Sequence, residues 1–240
     1  MGGGTMWSVV SVRAMTVEDL DWLQGLLAAR ALVRRQFAPW FWSPAADGAQ
    51  KHRAWLRHLI EDPEVASLRT DHGGAIATPT DAGFDVDDFA VDNPERYADD
   101  GSVLIASLRA VGRLRLVVPF HETERLRLAE AIDWLELGEV WWTRSLEDVP
   151  GFTDPPDDLD AVPTKTDVEG ATAFMVPAPP VYQQERPVLG LREVTRRDAV
   201  DEAERWAAKN GAGSATLMAA LDEDWADLGY LRTTGFFSQR

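Results

Sequence analysis

The chain has 240 residues, 45% of them hydrophobic and 27% charged, with ten Trp, no Cys and a formal net charge of −16. That length suits one large domain or two small ones. The absence of Cys excludes disulfides, thiolate metal sites and cysteine nucleophiles, and the acidic balance argues against nucleic acid, whose backbone needs a basic face. No apolar run reaches the roughly 18–20 residues that span a bilayer. The start, MGGGTM, lacks the basic and apolar regions of a signal peptide, so the expectation is a cytoplasmic protein with no membrane partner.

Val9–Ala14 alternates weakly and reads as a strand. Thr16-Val-Glu-Asp19 has the spacing of a capping box, an N-terminal hydroxyl with an acid three residues on. Leu20, Leu23, Leu27 and Ala31 follow at helical spacing, and Pro39 stops that region. The aromatic cluster Trp40-Phe41-Trp42 comes next, then a second helix near Gln50–Ile60. With Trp55, Trp40 and Trp42 read as core or as the wall of an apolar pocket. Val65–Arg69 and Ala75–Thr78, joined through His72-Gly73-Gly74, read as a hairpin. Phe84–Val91 is a central strand, with Asp85, Asp87 and Phe89 on one face and Phe84, Val86, Asp88 and Ala90 on the other. A helix over Ser102–Val111, a buried strand over Leu114–Pro119, a helix over Thr123–Leu137 stopped by Gly138, and a strand over Val140–Ser145 complete the first part.

From Glu147 to Pro163 the pattern stops, and five residues are Asp and four are Pro. This reads as a linker. Strands over Thr172–Val176 and Pro187–Val194, a helix over Arg197–Asn210, a strand over Ala215–Leu221, a short helix over Asp222–Leu228 and a strand over Tyr230–Phe237 follow. The segment Asp133-Trp-Leu-Glu-Leu-Gly138 is echoed by Asp224-Trp-Ala-Asp-Leu-Gly229, which suggests either a duplication or coincidence. The expected architecture is α/β (α+β), a mixed sheet flanked by helices, with a first unit over 1–148, a linker over 149–163 and a smaller unit of the same strand–helix type over 164–240.

The opening Ser11-Val-Arg-Ala-Met-Thr-Val-Glu-Asp-Leu-Asp-Trp-Leu, and the order of elements after it, resemble the GCN5-related N-acetyltransferase family. The family's most specific motif, Gln/Arg-x-x-Gly-x-Gly/Ala after the central strand, is met in part by Arg96-Tyr-Ala-Asp99-Asp-Gly101. Arg96 and Gly101 match, and Asp99 stands where the first Gly belongs. The resemblance implies acetyl-CoA as co-substrate, with backbone N–H groups of Gly101, Ser102 and Val103 and the cation Arg96 at the pyrophosphate, and the strand segment Phe89, Ala90 and Val91 along the acyl end. It implies direct transfer to an amine, with a strand carboxylate removing the proton; Asp87 and Asp88 are both candidates. Two departures weigh against transfer. Asp99 adds a Cβ and a like charge beside a phosphate. Trp134, four residues before Gly138, replaces the phenol that protonates the leaving thiolate in many members, and an indole N–H has no usable acidity. The alternative is a non-catalytic member of the fold, a ligand- or protein-binding module. Expected partners are a small-molecule or peptide amine, with a homodimer left open. His52 and His58 are six residues apart, not at the helical metal-binding spacing, and no metal site is expected.

Overall fold

The alternation of short apolar runs with amphipathic segments produces a mixed sheet with helices on both faces. The structure is a computed structural model and describes residues 10–155, 164–177 and 186–240. Strands β1 (Arg13–Ala14), β2 (Ala66–Arg69), β3 (Gly73–Thr80), β4 (Gly83–Val86), β5 (Phe89–Val91), β6 (Leu114–Pro119) and β7 (Leu135–Ser145) come from the first part of the chain. Strands β8 (Lys165–Val168), β9 (Ala171–Val176), β10 (Val188–Arg192), β11 (Ser214–Ala219) and β12 (Leu231–Gln239) come from the second. The helices are α1 (Leu20–Phe37), α2 (Pro39–Trp42), α3 (Gly48–Glu61), α4 (Ser102–Leu108), α5 (Thr123–Ala131) and α6 (Arg197–Lys209).

Period-two alternation in β3 and β5 sorts side chains to the two faces. Ile76 and Ala90 meet Leu20, Leu23 and Leu27 of α1 and Leu56 and Leu59 of α3. Ala75, Ala77, Phe89 and Val91 meet Leu104, Ile105 and Leu108 of α4 and Leu128 and Ala129 of α5. A third core packs the alanine face of α6, Ala199, Ala203 and Ala207, on Leu189, Leu191 and Leu217. The capping box at Thr16 forms, with the Thr16 N–H donating to Asp19 Oδ2 at 2.9 Å. Arg13 and Arg69 also bind this carboxylate, and the Arg13 hydrogen bond is the main reason its pKa lies far below the ordinary aspartate range.

The strand order is β1-β2-β3-β4-β6-β12-β7-β11-β10-β9-β8, with β5 also on β3. The expected division at 149–163 therefore does not divide the sheet. β12 runs antiparallel between β6 and β7 and pairs with both. Outward from the β12–β7 contact, the order reads the same in both directions: β6, β4, β3, β2 on one side and β11, β10, β9, β8 on the other. Each side holds one parallel pair, β4 with β6 and β10 with β11. The two echoed segments lead into β7 and β12, the strands at the centre. Their local structures differ: Asp133 and Trp134 form a turn after α5, whereas Ala226–Leu228 is a single 3₁₀ turn following a loop after β11.

One helix boundary departs from the sequence pattern. α5 ends at Ala131, and Gly138 lies inside β7 rather than at a helix end. Leu135 and Leu137 fit a period of two as well as they fit a helical stripe, and pairing with Phe237 and Gln239 of β12 selects the strand. Trp134 accordingly sits in the turn before a strand, where Arg109 stacks over its ring at 4.6 Å. Trp55 is exposed on α3, outside any core.

Candidate functional site

The central strand is broken at Asp87–Asp88. β4 pairs Asp85 with Thr78, whereas β5 pairs Phe89 with Ala75, a slip of one residue between the two registers. Such a bulge re-aims the side chains around it. The single alternation expected over Phe84–Val91 does not hold through it: Val86 and Phe89 are both fully buried, and the two acids between them turn outward. The Asp87 side chain is 57% exposed and accepts from Arg34 Nη2 at 3.3 Å. Asp88 lies 3.5 Å from His52 Nε2 on α3. The bulge thus brings both candidate bases together, each beside a basic side chain.

Behind the bulge lies a side chain that the sequence pattern did not reveal. Arg125, on α5, is fully buried. Its Nη1 donates to the Phe89 carbonyl at 3.1 Å, and its Nη2 donates to the carbonyls of Val86 and Asp87, each at 3.1 Å. Its nearest acid is Glu122, with Oε2 3.5 Å from Nη1. Glu122 Oε1 also accepts from Arg30 Nε at 2.5 Å and Arg34 Nε at 3.0 Å, both on α1. Arg30 Nη1 donates to the same Asp87 carbonyl at 2.9 Å. Three guanidinium groups and two carboxylates thus close the space between α1, the bulge and α5. Next to them His121 packs between Phe37 at 4.7 Å and Trp42 at 5.3 Å, ring centre to ring centre. Burial lowers its pKa to about 4, Glu122 working in the other direction, and the ring is neutral near pH 7. Trp40 anchors α2 to β7 through its indole N–H, 3.4 Å from Thr143 Oγ1.

The expected phosphate turn is helical. Asn93 starts the run, with its side chain accepting from the Glu95 N–H, and a 3₁₀ turn over Pro94–Arg96 passes into a π-helical turn over Tyr97–Gly101 and then into α4. The donors that a helix start leaves free are already used: Pro94 has none, Arg96 donates to the Asn93 carbonyl, and Tyr97 to that of Pro94. Ser102 donates to the Asp99 carbonyl, and Gly101 and Val103 lie within the same helical run. The outward-pointing donors expected at Gly101, Ser102 and Val103 are therefore not formed. Gly101 serves packing instead, since a Cβ there would come within 2.8 Å of Leu128 Cδ2 and 3.2 Å of Phe89 Cζ. Arg96 pairs with the buried Asp100 at 3.4 Å, and Asp99 is exposed.

These residues do not fit acetyl-CoA as the motif would hold it. The Phe89 carbonyl is taken by Arg125, the N–H groups of the turn are bound within a helix, and Phe89, Ala90 and Val91 are buried against α1, α4 and α5. The second parallel pair, β10 and β11, is followed by no glycine turn. On α6, which follows β10, the buried Glu204 accepts from the Tyr230 hydroxyl at 2.7 Å and lies 3.4 Å from Arg144 Nη1.

No protein-family model matches the chain, and neither does any curated protein. Solved structures do. A candidate acetyltransferase from Thermoplasma acidophilum aligns over 96% of this chain and 100% of its own, at 11% identity and a TM-score of 0.57. A GCN5-related N-acetyltransferase from Sphaerobacter thermophilus aligns over 98% of this chain and 96% of its own, at 13% identity and a TM-score of 0.56. A candidate acetyltransferase from Pyrococcus horikoshii covers 100% of this chain and 92% of its own, at 14% identity and a TM-score of 0.50. At such identities the likeness is one of fold, and the fold is that of the GCN5-related N-acetyltransferases.

Proposed function

We propose that the chain is a non-catalytic member of this fold, a binding module in which the machinery for acyl-CoA has been replaced by packing and ion pairs. The observation that carries this reading is Arg125. Its guanidinium takes three strand carbonyls at 3.1 Å in the cleft behind the bulge. Removing a buried, hydrogen-bonded arginine from such a position leaves three orphaned carbonyl acceptors, a cost on the order of several kcal/mol. A thioester would have to meet that cost before gaining any contact. The helical run from Asn93 uses the N–H groups of Glu95, Arg96, Tyr97 and Ser102 within itself, which supports the same reading. Titration of acetyl-CoA into the purified protein, followed by calorimetry, tests it. No saturable heat at millimolar acetyl-CoA is expected. Saturable binding at micromolar concentration refutes the reading.

A second reading is N-acetyl transfer from acetyl-CoA to a small-molecule or peptide amine, with Asp87 or Asp88 as the base. One specific observation favours it: the bulge turns two acids outward, Asp88 lying 3.5 Å from His52 Nε2 and Asp87 3.3 Å from Arg34 Nη2. The activities named for the structural neighbours point the same way. A thiol-reactive dye following CoA release from acetyl-CoA with a panel of amines separates the two readings, and the chain, with no Cys, contributes no background. Amine-dependent thiol release that is lost in Asp87→Asn or Asp88→Asn favours transfer.

A further inference from the structure

We infer that the outer face of α1 is the contact of a two-fold homodimer, in which α1 lies antiparallel across α1 of a second copy. This contact is independent of what fills the cleft. The inner face of α1 is spent within the chain: Leu20, Leu23 and Leu27 on the core, Arg30 and Arg34 on the bulge and Glu122. Asp21, Gly25, Ala28, Leu32 and Arg35 follow one another at steps of four and three residues. That is the spacing of a seam between two helices, and it runs along the side of α1 opposite to the core. All five residues are exposed. Leu32 at 65% and its neighbour Val33 at 51% are the most exposed of the large hydrophobic side chains described. A Cβ added at Gly25 would meet nothing within 4 Å, so the seam is open there.

Symmetry and charge identify the occupant. In a two-fold contact, if residue i touches j, then j touches i. Gly25 and Leu32 lie equally far on either side of the point between Ala28 and Ala29, about 5 Å each at a rise of about 1.5 Å per residue. An antiparallel copy therefore sets each Leu32 over the open position at Gly25 of the other copy. The alanines at the crossing let the two helices approach closely. Asp21 and Arg35 lie about 11 and 10 Å from the crossing, again on opposite sides, so each Asp21 meets Arg35 of the other copy. Asp21 is 83% exposed and gives Oδ1 to Arg53. Arg35 has no ion-pair partner among the described residues. The net charge points to the same face. Two copies at −16 repel each other, yet Trp22–Phe37 holds no Asp or Glu in a chain that has 40 acidic residues. The outer face of α1 is thus where two copies approach with little repulsion. The same net charge disfavours an anionic lipid surface.

A single helix pair is a small interface, so a monomer–dimer equilibrium with a Kd on the order of tens of micromolar is expected, read by sedimentation equilibrium of the full chain up to about 200 µM. Leu32→Glu changes an exposed side chain, so the monomer keeps its fold, and the dimer should be lost over that range. Arg35→Glu sets like charges against Asp21 twice per dimer and should weaken association roughly 3–10-fold. Adding Asp21→Arg to Arg35→Glu restores both pairs in reverse and should recover most of that loss. The chain has no Cys, so Ala28→Cys places one thiol near the two-fold axis. It should oxidise to a disulfide-linked dimer well before Leu221→Cys, an exposed position outside α1. A chain that stays monomeric throughout the range leaves this face to a different protein and overturns the inference. A dimer unchanged by Leu32→Glu, or equal oxidation of the two cysteine variants, places the contact elsewhere and overturns it too. A double variant no stronger than Arg35→Glu overturns the antiparallel arrangement.

Discussion

Replacing His121 by Phe should remove a defined part of the protein's acid sensitivity. The imidazole is 6% exposed, lies between Phe37 and Trp42, and has its pKa lowered to about 4 by burial. In the unfolded chain it titrates near 6.5. A base whose pKa is lowered by folding is held neutral in the native state, so its contribution to stability is full above pH 6.5. That contribution is lost as pH falls from about 6.5 toward about 4, where the unfolded chain takes up a proton that the native state does not. At pH 5 the gap amounts to about 1.5 pH units of unopposed linkage. At about 1.4 kcal/mol per unit, this is about 2 kcal/mol relative to pH 7. The charged neighbours of the ring, Glu122 and Arg34, act on it with opposite sign and stay in place in the variant. Urea unfolding of wild type and His121→Phe at pH 7 and pH 5 is the assay. Carboxylates titrate in both proteins and cancel in the comparison, so wild type should lose about 2 kcal/mol more than the variant between the two pH values. Equal losses would mean that His121 is hydrated or paired in the native state, and the argument from burial would fail.

Gly101→Ala should destabilise by about 1 kcal/mol, because overpacking against Leu128 and Phe89 outweighs the gain in helix propensity; a urea midpoint equal to or above wild type would show that the helix start shifts freely. Tyr230→Phe removes the hydroxyl that donates to Glu204 Oε1 in a buried site and should cost about 1–3 kcal/mol, measured by the same unfolding transition. An unchanged midpoint there would mean that Arg144 alone satisfies Glu204.

The elements that follow a single strong period were legible in the sequence. Leu20, Leu23 and Leu27 marked α1, Leu114, Leu116 and Val118 marked β6, and Thr16-x-x-Asp19 marked the start of the first helix. Ambiguous stretches were settled by partners far along the chain. Leu135 and Leu137 suit a helix or a strand until β12 arrives beside them. The same holds for Phe84–Val91, whose alternation gives no sign of a bulge, because the bulge comes from matching two registers on β3. The turn at 96–101 kept its place after the central strand. Its packing was not legible there, because a glycine that permits close packing and one that exposes an N–H look alike in sequence. Arg125 was missed for a different reason. The signal was present, an arginine among Leu126, Leu128 and Ala129 on a short helix, three residues after Glu122. A charged residue on a helix is normally assigned to solvent, and only the strand carbonyls opposite it show otherwise.

The position of β12 also bears on how the chain is made. Residues 146–230 separate β7 from the strand that joins it to β6. A ribosome adds roughly 5–20 residues per second, so for several seconds the nascent chain carries β6 and β7 with a gap between them. Both flank that gap with unpaired N–H and C=O groups, the kind of open edge that invites pairing with another chain. The sheet of the first half therefore cannot close as it emerges. Closure waits for a segment encoded far downstream, and until it arrives the two open edges are exposed to pairing with another chain.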